Sequence, residues 1–94
     1  MILDLGKDSN DNIIVCGTNG DLGSFIAKLN PSGTVLWQKN FGSNTRDDLF
    51  YLACDADDNI IAAGDTRPSG ADLVLIVKFS PDGDVIWQRS IAFG

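Results

Sequence analysis

Residues 26–38 read Ile-Ala-Lys-Leu-Asn-Pro-Ser-Gly-Thr-Val-Leu-Trp-Gln, and residues 76–88 return to this pattern as Ile-Val-Lys-Phe-Ser-Pro-Asp-Gly-Asp-Val-Ile-Trp-Gln. An earlier block, Asp-Asn-Ile-Ile at residues 11–14, returns at residues 58–61. The offset is 50 residues for the first pair and 47 for the second, so the second copy has gained residues between the blocks. With the copies aligned in this way, 14 of 33 positions are identical. The chain is a tandem duplication, and both copies are expected to share one local structure.

The pattern of turns predicts four short β-strands in each copy. Asp- and Asn-rich tetrapeptides at residues 8–11 and 55–58 favour tight turns, because short Asx side chains accept hydrogen bonds from the turn backbone. Asn-Pro-Ser-Gly at residues 30–33 and Ser-Pro-Asp-Gly at residues 80–83 favour hairpin turns, in which Pro presets φ and Gly supplies a positive φ. No stretch of ten residues keeps a helical period without interruption, so the predicted fold is all-β.

The strands that these turns separate are rich in Ile, Val, Leu and Trp on both faces, as in sheets that pack against neighbours on both sides. The predicted strands A to D are residues 2–7, 12–18, 24–29 and 34–41 in the first copy, and 49–54, 59–65, 72–79 and 84–91 in the second. Residues 1–47 form the first repeat and residues 48–94 the second, within one structural domain.

The order of these motifs resembles that of a known repeat. Asp-x-x-Asp-Asn-Ile-Ile-x-x-Gly, a loop, Ile-x-Lys-x-x-Pro-x-Gly-x-Val-x-Trp-Gln and then Phe-Gly-Ser before the next strand resembles the bacterial SBBP-type β-propeller repeat. The resemblance covers nearly the whole chain and implies two four-stranded antiparallel propeller blades. The ending is also similar to that of quinoprotein dehydrogenase blades, which implies that Trp37 and Trp87 dock on neighbouring blades. No quinone or calcium site accompanies that similarity.

Two blades do not close a ring, because closed propellers have typically four to eight. Head-to-tail contacts between copies, in a cyclic trimer or tetramer, would complete a ring of about six or eight blades. The alternative is that the missing blades lie in a longer parent chain. Closure by homo-oligomerisation is the preferred expectation, because the sequence begins at Met1 and spans two whole blades.

The composition narrows the choice of partners. The chain has 94 residues, a formal net charge of −6 and no stripe of Lys or Arg, so neither nucleic acid nor an anionic membrane is an expected partner. No signal peptide and no apolar run of membrane-spanning length is recognisable. We expect a soluble protein, and the sequence leaves its localisation open, with extracellular and virion-associated settings among the alternatives.

No catalytic or cofactor motif is recognisable. The chain has no histidine, no Gly-x-Ser-x-Gly and no Gly-x-x-x-x-Gly-Lys, so a nucleophile with a base or a phosphate loop is not expected. Cys16 and Cys54 occupy different positions in the two repeats, which favours two buried free thiols over a metal or redox pair. The acidic turns lack the distal Glu of a calcium loop. We therefore expect no metal, no cofactor and no enzymatic activity.

The loops suggest where a ligand would bind. The A–B and C–D turns share one end of each predicted sheet and are alike in the two copies. The other end holds the B–C loops, which differ between the copies, and the longer D–A connection at residues 42–47. Variable loops on a rigid scaffold commonly carry binding. The candidate ligand face at this loop end consists of Asn19, Asp21, Asn44, Arg46, Arg67 and Ser69.

The leading interpretation is a non-enzymatic propeller, a structural or recognition module that binds a protein or carbohydrate through that face. One alternative is a propeller enzyme or cofactor carrier, lyase-like or quinoprotein-like, with carboxylates gathered in a central channel. Another is a component of a viral or surface appendage, for which assembly is itself the function. Lys28 and Lys78 recur mid-strand and are expected to cover apolar surface with their stems and to pair with nearby carboxylates.

Overall fold

Eight β-strands make up the computed structural model, which describes residues 2–18, 23–41, 46–67 and 73–92. The strands are β1 Ile2–Lys7, β2 Ile13–Thr18, β3 Ser24–Leu29, β4 Val35–Phe41, β5 Arg46–Cys54, β6 Ile60–Arg67, β7 Leu73–Phe79 and β8 Val85–Ala92. They form two four-stranded antiparallel sheets, in the orders β1-β2-β3-β4 and β5-β6-β7-β8. The prediction of an all-β fold with four antiparallel strands per repeat is confirmed.

The observed strands agree with the predicted ones within two residues at each end, except at the start of β5. This strand begins at Arg46, three residues earlier than predicted, and therefore crosses the repeat boundary between residues 47 and 48. The reason is the ladder with β6, which continues past the apolar residues until Arg46 pairs with Arg67. Within the described ranges there is no helix with the length and apolar character that a membrane crossing requires.

The Asx-rich turns between β1 and β2 and between β5 and β6 have the predicted local hydrogen bonds. Oδ1 of Asp8 accepts hydrogen bonds from the backbone N–H groups of Asn10 and Asn12, both at 2.9 Å. Asp55 accepts the two equivalent bonds in the second turn, also at 2.9 Å. Each aspartate thus satisfies backbone donors that the tight turn would otherwise leave unpaired.

The β3–β4 and β7–β8 turns end in glycine. The N–H of Gly33 donates to the carbonyl oxygen of Asn30, and that of Gly83 donates to the carbonyl oxygen of Ser80, both at 2.9 Å. The φ angles of the two glycines are 91° and 90°, in the region that a Cβ atom disfavours. The Pro-x-Gly motif therefore forms the same turn in both repeats.

The core lies between the two sheets, which pack face to face. The first sheet contributes what we call its front face, formed by Ile14, Cys16 and Ile26, and the second sheet contributes its rear face, formed by Leu49, Ile60, Ala62, Leu75, Val77 and Phe79. Successive side chains of a strand point to opposite faces, so each sheet buries alternate residues. Each large aliphatic side chain buried here contributes about 1.5–3 kcal/mol relative to exposure.

The two repeats bury opposite faces. Ile14 in β2 is fully buried, whereas its counterpart in the second repeat, Ile61, is only half-buried. Conversely, Ile60 is fully buried and its counterpart Ile13 is half-buried. The rear face of the first sheet and the front face of the second are therefore not covered by any other described part of the chain.

Candidate functional site

Lys28 of β3 connects the two sheets at the turn end of the molecule. Its Nζ lies 3.1 Å from Oδ2 of Asp8 and donates a hydrogen bond, also at 3.1 Å, to the carbonyl oxygen of Pro81 in the β7–β8 turn. The side chains of Lys28 and Asp8 are only 7% and 1% exposed. A buried ion pair is tolerated when further hydrogen bonds satisfy both partners, as they do here. The predicted pairing of this lysine with a nearby carboxylate is confirmed.

The Asp8 carboxylate stays charged despite its burial. Burial by itself raises the pKa of a carboxyl, because it disfavours the charged form. Hydrogen bonds from Asn12, Lys28 and Asn10 lower the pKa and outweigh the effect of burial. The pKa of Asp8 consequently lies below the value of 3.8 that an exposed aspartate has. Its chemistry at neutral pH is therefore that of a fixed anion and hydrogen-bond acceptor.

Trp37 of β4 packs against the same turn of the second sheet. Its Nε1–H donates to the carbonyl oxygen of Pro81 at 2.9 Å. A Cβ atom on Gly83 would lie 2.9 Å from Cε3 of the indole, which is closer than such contacts allow. Gly83 is thus required both by its positive φ and by the close approach of the indole. The predicted role of Trp37 in packing between repeats is confirmed.

Two further aspartates join the sheets through hydrogen bonds. The N–H and hydroxyl groups of Ser9, in the first Asx turn, donate to the carboxylate of Asp58, in the second, at 2.9 and 2.6 Å. Oδ2 of Asp4 accepts the backbone N–H of Leu52 at 2.7 Å. Charge-assisted bonds of this kind are stronger than those between neutral groups, so they fix the relative position of the two sheets.

Both cysteines are free thiols. Cys16 is buried and its Sγ lies 3.5 Å from the carbonyl oxygen of Leu49, while burial, and then the charge of Asp4, raises the pKa of this thiol to about 11. Cys54 is half-buried, so the prediction that both thiols are buried is wrong for this residue, which lies at the margin of the core. Burial, and then the charge of Asp8, raises the pKa of Cys54 as well. Since the thiolate is the nucleophile, neither cysteine is activated.

The second repeat holds the same residues on a less covered surface. Nζ of Lys78 lies 3.4 Å from Oδ2 of Asp55, and each side chain is 26% exposed. The guanidinium group of Arg89 lies 5.7 Å from the centroid of the Trp87 ring. Among the described residues, the Nε1–H of Trp87 has no hydrogen-bond acceptor. The packing of Trp87 against a neighbouring blade stays a prediction.

The predicted ligand face is only partly described. Four of its six residues lie outside the described residues: Asn19, Asp21, Asn44 and Ser69. Arg46 and Arg67 are directly opposite each other in the register of β5 and β6, at the end of the sheet where the B–C and D–A connections attach. The structure thus brings the backbones of the two arginines together at the loop end.

The acidic turns do not gather into a metal site. In the part of the chain that the structure describes, no three His, Cys, Asp or Glu side chains are arranged to hold a metal ion. The carboxylates of Asp8 and Asp55 instead accept hydrogen bonds from their own turns and from lysine, as the turn interpretation predicted.

Sequence reasoning missed the residues that bridge the sheets without being repeated. These are Asp4, Ser9 and Ser24, of which Ser24 accepts the backbone N–H of Leu49 at 2.9 Å. The second repeat has Tyr51, Ala56 and Val74 at the aligned positions. The sequence offered one signal for these residues, an Asp or Ser that one copy has and the other copy replaces. Such differences are expected at a contact between the repeats, because only one such contact lies within the chain.

The best-defined polar arrangement among the described residues is therefore the junction between the two sheets, with the paired arginines at the opposite end. Comparison with known proteins finds no matching family model and no matching curated protein. The resemblance to the SBBP-type repeat stays a prediction.

Proposed function

We propose that the chain is a non-enzymatic β-propeller module, in which several copies complete a closed ring whose loop end recognises a protein or a carbohydrate. The observation that carries this proposal is the stacking of the two repeats. Each repeat forms one whole sheet, and the front face of the first packs on the rear face of the second. Units that contact only their sequence neighbours can be stacked further without any change in chain path.

The surface of the chain supports further stacking. Seven large apolar side chains among the described residues are 48–69% exposed: Leu5, Val35, Leu36, Tyr51, Val85, Ile86 and Ile91. A domain of this size gains little from its own core, so apolar strands left in water indicate surfaces that a partner covers.

The use of the reactive side chains supports a non-enzymatic role. Asp8 and Lys28 are held together in a buried pair between the sheets. Both thiols have raised pKa values, which keeps them in the less reactive protonated form. The lysine–aspartate pair joins the two sheets, and the thiols lie in the core or at its margin. None of these groups is therefore in a position typical of a catalytic residue.

The recognition part of the proposal concerns the loop end. Arg46 and Arg67 are directly opposite each other in the register of β5 and β6 at this end, in a chain whose net charge is −6. Arginine pairs suit bidentate contacts with carboxylates of a protein or an acidic sugar.

The native mass of the chain in solution tests ring closure. A discrete trimer or tetramer, measured by native mass spectrometry and light scattering, is the expected result. A monomer at all concentrations, or growth without a defined size, contradicts closure by copies of this chain.

Binding by the loop end is tested with Arg46→Ala/Arg67→Ala on a glycan array and against immobilised acidic peptides. The control is Lys39→Ala, which removes an exposed cation from strand β4 and leaves Arg89 in place beside Trp87. We expect the first variant to lose wild-type binding and the control to retain it. Equal binding by both variants contradicts recognition through this face.

A further inference from the structure

We propose that the front face of the second sheet docks on the rear face of the first sheet of a second copy, with Trp87 packed on the turn that ends at Gly33. In this contact Lys78 and Trp87 both donate hydrogen bonds to the carbonyl oxygen of Pro31 of the neighbouring copy. The inference rests on the proposed ring and names the residues that close it. The template is the junction inside the chain, where Lys28 and Trp37 make the same two bonds to one proline carbonyl.

The turn that would receive the indole is already formed and is exposed. Gly33 has a φ of 91°, and a Cβ atom placed on it would have no atom of the described residues within 4 Å, apart from its own chain neighbours. The aligned Gly83 has a φ of 90° and is in close contact with Trp37. Pro31 and Gly33 are exposed, whereas Gly83 is buried. The two turns have the same backbone, and one of them lacks the indole that covers the other.

The groups that would approach this turn are also in place. Lys78 is held by Asp55 as Lys28 is held by Asp8, so its ammonium group is positioned before any neighbour arrives. Trp87 pairs with Lys78 in the register of β7 and β8, as Trp37 pairs with Lys28 in β3 and β4. The polar group that binds a proline carbonyl inside the chain therefore exists a second time on the surface.

The apolar surfaces around these groups match those of the internal junction. On the front face of the second sheet, the half-buried residues aligned with the buried Ile14, Cys16 and Ile26 are Ile61, Ala63 and Ile76. On the rear face of the first sheet, the half-buried residues aligned with the buried Ile60, Leu75 and Phe79 are Ile13, Phe25 and Leu29. Burying these residues against each other would add hydrophobic free energy to that of the internal junction.

Leu5 is the residue of the rear face whose exposure differs most clearly from that of its counterpart. Its counterpart Leu52 lies on the rear face of the second sheet and packs against the core, whereas Leu5 is 62% exposed on the rear face of the first. Both leucines occupy equivalent register positions, opposite Val15 and Ala62. A second copy is the partner that presents the complementary surface for Leu5, because the chain itself carries that surface.

Charges at the edge of the proposed contact are complementary. Cys54, on the rear face of the second sheet, is close enough to Asp8 for this carboxylate to contribute to its raised pKa. The first repeat has Lys7 at the position of Cys54, and in the docked pair this lysine would face Asp55, the counterpart of Asp8. Lys7 is 67% exposed and pairs with the exposed Asp11 of its own chain. A pair of opposite charges would therefore stand in the contact between copies at the place where the contact inside the chain has a thiol.

The external contact should be weaker than the internal one. Three bridging residues of the internal junction, Asp4, Ser9 and Ser24, are replaced at the aligned positions by Tyr51, Ala56 and Val74, none of which has the carboxylate or the short hydroxyl side chain that makes these bonds. Loss of these bonds, together with the entropy lost on association, predicts an assembly that dissociates on dilution while each chain stays folded.

The experiment uses two variants that each disable one side of the contact. Trp87→Ala removes the indole from the front face, and Gly33→Asn places a Cβ atom where the indole would pack, with a residue that tolerates a positive φ. Asp57→Asn is the control, because it introduces the residue that the first repeat has at the exposed aligned position. Native mass spectrometry and light scattering are recorded for wild type, each variant and an equimolar mixture of the two.

We expect the wild type and Asp57→Asn to assemble, and each of the other variants alone to be a folded monomer at the same concentration. The mixture should form a one-to-one dimer and nothing larger, because each variant retains the face that the other has lost. A misfolded variant cannot produce that dimer, so this result would establish the contact. Monomeric variants that give no dimer when mixed would overturn it.

Assembly of Trp87→Ala and Gly33→Asn with the wild-type mass and dissociation curve would overturn the contact while leaving the proposed ring intact. A wild-type chain that is monomeric at every concentration would overturn both the contact and closure by copies of this chain. The two failures are therefore distinguishable in one set of measurements.

Discussion

The two copies of the repeat hold the same lysine–aspartate pair in different surroundings. Lys28 and Asp8 are 3.1 Å apart and almost fully buried, and the lysine has a second partner in the carbonyl oxygen of Pro81. Lys78 and Asp55 are 3.4 Å apart and one quarter exposed. The local turn and the strand register are the same in both cases. The difference arises from the second sheet, which covers the first pair and has no counterpart over the second.

The comparison indicates that the repeat positions its polar groups before they are covered. A lysine already held by an aspartate within its own sheet loses little conformational freedom when a neighbouring turn supplies a carbonyl oxygen. The same set of residues can then form a buried junction wherever a rear face is presented. Variants that remove the same group from one repeat or from the other measure how much the covering sheet contributes to the free energy of unfolding.

The largest effect is expected for Asp8→Asn. An asparagine amide would leave the buried ammonium group of Lys28 without its anion, and breaking such a buried pair costs about 3–5 kcal/mol. Asp55→Asn should change the free energy of unfolding far less, because solvent reaches the second pair. Urea denaturation at pH 7 measures both, in a Trp87→Ala background that removes contacts between copies.

Equal losses of stability in the two variants would contradict the difference between the covered and uncovered pairs. A loss in Asp8→Asn that Asn12→Ala reproduces in full would assign the effect to the turn and not to the lysine, because Asn12 binds Asp8 within the turn.

The next effect is expected at the two turn glycines. Alanine at either position should lower the free energy of unfolding by about 1–2 kcal/mol, because a residue with a Cβ atom disfavours a positive φ. Gly83→Ala adds a Cβ atom 2.9 Å from the indole of Trp37, which is held by its bond to Pro81, and this overpacking adds about 1–3 kcal/mol. Thermal and urea unfolding in the Trp87→Ala background should show the larger loss for Gly83→Ala, and identical losses would contradict the observed contact.

The smallest effect is expected in the pH dependence of stability. The pKa of Asp8 lies below 3.8 in the fold, so its carboxylate stabilises the folded chain above about pH 4. This contribution is lost as the pH falls through the folded-state pKa, because the unfolded chain then binds the proton more readily. Urea titrations between about pH 5 and pH 2 should show a shallower loss of stability in Asp8→Asn than in the wild type. Parallel profiles would contradict the assignment.

The sequence predicted the strands and turns well because their causes are local. Asp8 accepts bonds from residues two and four positions away, and Gly33 closes a turn that begins at Asn30. The start of β5 was missed because its first residues are polar and are ordered by pairing with β6, which no local pattern reveals. Cys54 was expected to be buried, yet it lies at the margin of the core.

The junction was predicted only in part. Trp37 and Lys28 were recognised because they recur, and their packing and pairing were inferred from their place in apolar strands. Ser9 was not recognised, because its partner Asp58 is 49 residues away in the sequence and the second repeat has alanine at the aligned position.

By itself, the sequence determined the duplication, the four antiparallel strands of each repeat and the chemistry of each turn, since these depend on residues a few positions apart. Only the tertiary structure decided which face of each repeat is buried. Ile14 and Ile61 are the same residue in the same local pattern, yet one lies in the core and the other at the surface. An identical side chain carries no information about what covers it, and burial is set by the neighbouring sheet.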